Sequence, residues 1–292
     1  MSIKHTLKLL VSHPLTKNQP VRAIVRFLKW QVGATINNCP IIYQYTNNSK
    51  LVISKGMTGA TGNLYFGLHE FEDMAFLLHF LRKEDLFLDA GANVGSYTVL
   101  ASAHVGCNSI CVEPVPSTFQ NLLNNIYINK INERVKSLNI GLGKTSATLK
   151  FTKTLDTVNH IATESDENTI EVPIESVDEI VGLHIPTLIK MDVEGYETEV
   201  LKGALKTLGN SKLKAIIIEL NGSGERYGFD EKDIHNLLLE LNFMPYTYYP
   251  FERKLKKIVD FGSYNTIYIR DLDFVRNRIE KAEKIQILNS LF

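Results

Sequence analysis

Acidic residues are missing from the first 69 positions. Between Met1 and His69 there is no Asp or Glu, against eight bases: Lys4, Lys8, Lys17, Arg22, Arg26, Lys29, Lys50 and Lys55. The chain is neutral overall, so the other 24 Lys and Arg face all 32 Asp and Glu. Such asymmetry points to an anionic surface or ligand for the basic part, and the acidic remainder speaks against nucleic acid as a partner. Cysteine is scarce too, at Cys39, Cys107 and Cys111. An odd number of cysteines excludes a fully paired disulfide framework, and Cys107 and Cys111 read as apolar filling around a strand. A reduced, cytoplasmic setting is the expectation. Apolar runs stay well short of the roughly 18 residues a membrane span needs. The opening "MSIKHTLKLLVSHPLTKNQP" lacks a sustained apolar core and a small-residue cleavage site, so no signal peptide is expected. Internal repeats and low-complexity segments are absent as well.

What remains is a chain of 292 residues with an ordinary apolar share of 44 %, enough for one large α/β domain plus an extension. "LFLDAG", "SICVEP", "RVKSLNI", "TLIKMDV" and "LKAIIIELN" read as strands. "GSYTVLASAH", "PSTFQNLLNNIYIN", "YETEVLKGALKTL" and "EKDIHNLLLEL" read as the helices that alternate with them. Pro116 sits near the start of the second helix, with Ser117 as a candidate cap. Repeated βα units imply a mainly parallel sheet covered on both faces, and near-continuous apolar runs such as "AIIIEL" suit such strands. "TSATLKFTKTLDTVNHIATESDENTIEVPI" reads as hairpin and loop. "MPYTYY" and "YNTIYIRD", with no helix between them, predict an antiparallel edge.

Ahead of that body, "VRAIVRFLKWQV" places Val21, Ile24, Val25, Leu28 and Val32 on one helical face and Arg22, Arg26 and Lys29 on another. "PIIYQYTNNSKLVISKG" reads as a hairpin with a polar turn. The expected organisation is a basic extension of helix and hairpin over 1–69, an α/β body over 70–270 and a C-terminal helix over 271–292.

In open α/β sheets, ligands bind beyond the carboxyl ends of the strands near the switch point. Those ends carry Asp89 with Gly91, Asn93 and Gly95; Glu113; Asp192 with Glu194, Gly195 and Glu197; and Glu219 with Asn221. Gly91 and Gly95 allow a tight turn and close approach of the backbone to a ligand. Their spacing is not the G-x-G-x-x-G of dinucleotide sites. Asp89 puts a carboxylate beside the loop, which suits a cation better than a pyrophosphate. Glu113 is placed to accept two hydrogen bonds from ribose hydroxyls. A ribose, no phosphate and a positive charge point to S-adenosyl-L-methionine; the bland alternative is a strand-turn-helix with solvated acids.

"DAGANVGSYT", "VEPVPSTFQNLLNNI", "VPIESVDEI" and "LIKMDVEGYETEVLKGA" resemble the FkbM-type methyltransferases, as does the preceding "GATGNLYFGLHEFEDMAFLLHFLR". The resemblance implies a Rossmann-like seven-stranded methyltransferase sheet, mainly parallel with an antiparallel edge. It also implies S-adenosyl-L-methionine as cofactor and methylation of a hydroxyl, often on a sugar or a polyketide. By position, Asp89, Gly91, Asn93 and Gly95 match the methionine-side loop, Glu113 the ribose acid, and Asp192 the acid near the reacting methyl. "SLNIGLGKT" departs from the pattern, lacking the acid that many methyltransferases carry after strand three.

An alcohol is a poor nucleophile at neutral pH, so a base within reach helps. His160, in the polar "DTVNHIATE", is the expected base, with Asp192 placing cofactor and substrate. Asp192 itself, Glu194 and His69 are the other candidates. Glu70 is expected at the methionine amino group or at a helix N-terminus. No metal is expected, although Asp192, Glu219 and Asn221 would serve Mg²⁺ in a catechol-type alternative. The expected partner is a small-molecule or glycan acceptor. The basic helix could lie on an anionic bilayer, or dock its apolar stripe on the domain or on a twin subunit. The non-enzyme alternative is a cofactor-binding interaction module.

Overall fold

The computed structural model describes residues 3–37, 39–153, 155, 158–163 and 166–292. Its central sheet contains, in chain order, β1 (Leu86–Ala90), β2 (Asn108–Val112), β3 (Val135–Leu138), β4 (Leu188–Met191), β5 (Ala215–Glu219), β6 (Met244–Tyr249), β7 (Lys254–Lys257) and β8 (Asn265–Ile269). Across the sheet the order is β7-β6-β8-β5-β4-β1-β2-β3. The neighbours from β5 to β3 are parallel, and β8, β6 and β7 continue the other edge antiparallel.

Period-two alternation sends neighbouring side chains to opposite faces. Phe87, Leu188 and Ile217 join one core with Phe76 and Phe80 of the helix Phe71–Phe80. Leu88, Ile189, Ile216 and Ile218 join a second core with Val200, Leu201 and Leu238. Each such fully buried aliphatic or aromatic side chain contributes about 1.5–3 kcal/mol. The chain runs outward from β1 through β2 to β3, then returns to β4 on the other side of β1. The switch point therefore lies between β1 and β4.

The eighth strand is one more than the seven expected. It comes from "KLKK" after the turn at Pro250, and its exposed Lys254, Lys256 and Lys257 blunt an open edge. The hairpin after β3 forms a separate three-stranded sheet of Gly141–Leu142, Thr169–Glu175 and Ala147–Thr152. The helix expected in "YETEVLKGALKTL" is two, Glu197–Lys202 and Leu205–Gly209. A side chain at Gly203 would strike the Gly143 carbonyl, and Asp178 caps the second piece through the Thr207 amide and hydroxyl. Ser117 is not a cap: Pro116 opens the helix Pro116–Ile128 without a side-chain cap. Ser176 and Glu179 form a reciprocal capping box in "VPIESVDEI".

The basic extension is built into the body. It forms the helices Ile3–Ser12 and Pro20–Ile36, the hairpin Ile41–Thr46/Ser49–Ile53 and the helix Thr58–Phe66. Leu10, Phe27 and Leu51 share one core with Phe71 and Phe76. At the far end the helix is only Leu272–Glu280; a small hairpin follows, and Phe292 packs on Phe71 and Phe251. Among the described residues no helix is long and apolar enough to cross a membrane.

Asn125 ties the N-terminal hairpin to the loop after β1. Its Oδ1 accepts from the Val52 amide and its Nδ2 donates to the Val94 carbonyl, both at 2.7 Å, and the residue is fully buried. Asn125→Ala leaves both backbone groups unpaired. It should cost about 2 kcal/mol or more, read as a lower midpoint in urea with an unchanged slope.

Candidate active site

A cavity of about 360 Å³ opens at the carboxyl ends of β1, β2, β4 and β5. Glu70, Asp89, Gly91, Asn93, Glu113, Asp192, Glu194 and Glu219 all lie on its wall. Four strand ends thus deliver to one place the groups that the sheet rule anticipates.

The loop after β1 is left-handed at Gly91 (φ 81°), Asn93 (φ 50°) and Gly95 (φ 85°). At Gly91 a side chain would run into the carbonyl oxygen of Asp192, so glycine is what lets β1 and β4 end this close together. The Asn93 amide donates to Glu113 Oε2 and the Val115 amide to Oε1, each at 3.0 Å. A carboxylate offers about four lone-pair sites, so Glu113 keeps acceptor capacity for a ligand diol. Burial pushes its pKa up to about 7 against the pull of those two amides. Asp89 Oδ2 accepts from the Thr98 amide at 3.0 Å and the Thr98 hydroxyl at 2.6 Å, at the start of the helix Ser96–Val99. Burial raises the Asp89 pKa to about 6.

Lys190 is the centre of the charged wall and was not among the expected site residues. It is 2 % exposed, and its Nζ lies 3.2 Å from both Asp192 Oδ2 and Asn265 Oδ1. Asn265 Nδ2 in turn donates to Glu70 at 2.8 Å and to Asp73 at 3.0 Å. Burial works against the ammonium, yet Asp192, Glu70, Glu219 and Asp73 together hold its pKa above the ordinary lysine value. The carboxylates of Asp192, Glu194 and Glu219 can bring oxygens within 4.8 Å of one another. Burial, then the Asp192 charge, raises Glu194 to about 8 and Glu219 to about 9. At neutral pH those two acids hold their protons, while the Asp192 carboxylate faces the ammonium.

The family model for the methyltransferase FkbM domain matches residues 89–245, more than half of the chain. This chain belongs to the FkbM methyltransferase domain family. It is 30 % identical over 167 residues to the hexuronic acid methyltransferase AglP of Haloferax volcanii, a match covering 56 % of this chain and 65 % of that protein. It is 26 % identical over 146 residues to methyltransferase 1 of Beauveria bassiana, covering 41 % of this chain and 58 % of the other. The chain thus spans about six-tenths of the length of these curated relatives. Among solved structures, the precorrin-6y C5,15-methyltransferase of Geobacter metallireducens is similar at a TM-score of 0.43 and 11 % identity, over 76 % of this chain and 94 % of that one.

The FkbM segment "KMDVEGYE" has a local physical logic. Glu194 is left-handed (φ 56°), an uncommon backbone for a side-chain-bearing residue. Glu197 holds that turn by accepting from the Val193 amide at 2.9 Å. Gly195 (φ 97°) lies against the Ser223 carbonyl, where a side chain would clash. Glu194 therefore reaches the cavity wall and Glu197 does not.

Two expected residues stand elsewhere. Gly95 is off the cavity wall; it lets the loop press on Leu122 of the helix Pro116–Ile128, where a side chain would collide. His160 is buried, with Nδ1 2.8 Å from the Val158 carbonyl and Nε2 3.4 Å from Asp166 Oδ2. Its neighbours Val158, Asn159 and Ile161 line the cavity, and His160 does not. Both ring nitrogens are engaged away from the acceptor space, so the geometry does not support the expected base role. Asn221 and His69 do lie on the wall.

These pKa shifts set a pH window for stability. Asp73, Glu113 and Glu197 are raised by burial to about 7, above the 3.8–4.5 of free carboxyls. Their contribution is complete below those free values and is lost as pH rises through about 7, and Glu194 and Glu219 extend the loss through about 8 and about 9. His13 and His79 run the other way. Burial lowers each to about 4, so the stability of their neutral rings is present above 6.5 and lost as pH falls. Five raised carboxyls outweigh two lowered imidazoles between those values, so the ligand-free protein should melt highest near about pH 4–5 and progressively lower toward pH 9. Scanning fluorimetry across that range checks it; a melting temperature still rising from pH 7 to 9 contradicts it.

Proposed function

We propose that this protein is an S-adenosylmethionine-dependent O-methyltransferase that methylates a hydroxyl of a sugar or glycan. The observation that carries the reading is the meeting of Gly91, Glu113 and Asp192 on one cavity at the switch point of the sheet. The donor set suits the cofactor: Glu113 is an acceptor for the ribose diol, and Glu70 and Asp89 on the same wall are acidic partners for a cation. Glu70, Asp89, Gly91, Asn93 and Glu113 would hold the cofactor. When bound, it supplies a methyl group on a sulfonium, which the acceptor oxygen takes in line while sulfur keeps the bonding pair.

The chain's own task is to position the hydroxyl and remove its proton. Positioning supplies several kcal/mol, up to about 7–11 in ideal cases. Asp192 is the proton acceptor of this reading, because Glu194 and Glu219 are already protonated at neutral pH. As neutral carboxyls they donate to and accept from sugar hydroxyls, and the Phe151 and Tyr196 rings on the same wall offer apolar faces. AglP is named for a hexuronic acid; here the acid-rich wall fits an uncharged hydroxylated ring better than a sugar carboxylate. Acceptor KM should therefore rise as Glu194 and Glu219 ionise above about pH 8.

The test is incubation with S-adenosylmethionine and a panel of neutral sugars, uronic acids and polyols, read by mass spectrometry. A methyl ether on a sugar hydroxyl, with S-adenosylhomocysteine formed in equal amount, supports the reading. Tight cofactor binding with no transfer to any hydroxyl would favour the interaction module. A second reading rests on the close approach of Asp192, Glu194 and Glu219, a carboxylate set adequate for Mg²⁺. The Lys190 ammonium already supplies a positive charge there, so turnover should survive EDTA. Loss with EDTA and recovery with Mg²⁺ would make the catechol-type mechanism the correct one.

A further inference from the structure

The helix Pro20–Ile36 docks on the body by one face: Ala23, Phe27 and Ala34 are buried, and Ile24 and Trp30 pack against the same core. Its larger apolar stripe points the opposite way. Val21, Val25, Leu28, Val32 and Ile36 recur at helical spacing and are 43–82 % exposed. On a helix of 100° per residue these five span about 80° of arc, centred roughly opposite the buried face. Arg22 and Lys29 border the stripe, both exposed and seven residues apart, so they share one flank. Ile41 and Ile42 of the following hairpin are exposed as well, and Ile41 lines a groove with Val21 and Val25.

A stripe of this kind exposed to water is costly unless something covers it. Of the expected stripe the body covers Ile24 and leaves Val21, Val25, Leu28 and Val32 exposed, which corrects the expectation that the stripe as a whole docks on the domain. We propose that this face lies on an anionic lipid bilayer, with the stripe in the interface and the bases against the headgroups. Charge selects the lipid surface over a second copy of the chain. A two-fold contact sets each patch against itself, and an antiparallel pair of these helices brings Arg22 and Lys29 of both copies together. No acid occurs among the first 69 residues to neutralise them. Lys4, Lys8 and Lys17, exposed on the adjoining segment, add to the same positive field.

The full-length protein is sedimented with vesicles of pure phosphatidylcholine, and with vesicles in which about a third of the lipid is phosphatidylglycerol. Binding is expected to the anionic vesicles alone, weakening as salt screens the bases. Val25→Glu/Val32→Glu and Arg22→Glu/Lys29→Glu lie at exposed positions and should leave the fold intact. Each pair should lower the partition coefficient about tenfold or more. The proposal is overturned if wild type ignores anionic vesicles, binds both kinds equally, or keeps its binding in the Val25→Glu/Val32→Glu variant. It is also overturned if light scattering finds a dimer that this variant splits, since the stripe would then belong to a second copy.

Discussion

Gly91→Ala should reduce S-adenosylmethionine affinity by about 10–10²-fold, the scale of losing hydrogen bonds to a displaced acidic group. Two penalties coincide at this position. The backbone is left-handed (φ 81°), which costs a residue with a Cβ roughly 1–2 kcal/mol. The new methyl would also occupy the space of the Asp192 carbonyl oxygen. That oxygen belongs to the chain leaving β4, so relief requires β1 and β4 to part where Glu113 and Asp192 are meant to converge. Gly228→Ala is the matched control: φ is 74° there, with no atom within 4 Å of the added Cβ. Calorimetry should find binding weakened in the first variant and kept in the second, with both melting below wild type. Equal affinity in the two would mean that the β1–β4 contact does not shape the site.

Asp192→Asn should lower kcat by about 10²–10⁴, the range for loss of a general base, with a smaller effect on cofactor affinity. Lys190→Met removes the ammonium 3.2 Å from Asp192, and leaves Glu70, Asp73, Asp192 and Glu219 without their shared cation. The kcat should fall because Asp192 loses the group that orients it, with stability lost more at pH 8 than at pH 6. Breaking a fully buried pair costs about 3–5 kcal/mol, and the partly exposed Asp192 side chain should keep the loss below that. His160→Ala should keep near-normal kcat, because its ring faces Val158 and Asp166. pH–rate profiles of the three variants separate these roles. A collapse of kcat in His160→Ala with Asp192→Asn unaffected would return the base to the histidine.

Much of this was readable from local chemistry. Continuous apolar strands alternating with helices fix a parallel sheet, and acids at strand ends mark its ligand side. Lys190 left a signal as well: an ammonium inside the apolar run "TLIKMDV" must find carboxylates. Which carboxylates was not legible. Glu70 and Asn265 meet across 195 positions and Asp73 and Asn265 across 192, a matter of tertiary packing alone. Periodicity named the apolar face of the helix Pro20–Ile36 but not its direction. Phe27, with Ile24 and Trp30 beside it, found its partners in the body core and on Tyr65, and that face went inward. The position of His160 in the chain likewise says nothing about where its ring turns in a loop.

Calorimetric titration of S-adenosylmethionine and NAD into wild type and Glu113→Ala tests the identity of the cofactor most directly. Wild type should bind S-adenosylmethionine and not NAD. At pH 8, above the value of about 7 to which Glu113 is raised, Glu113→Ala should weaken that binding by about 1.5–3 kcal/mol through lost hydrogen bonds to a charged acceptor. Tight NAD binding without S-adenosylmethionine binding, or full S-adenosylmethionine affinity in Glu113→Ala, would contradict the account.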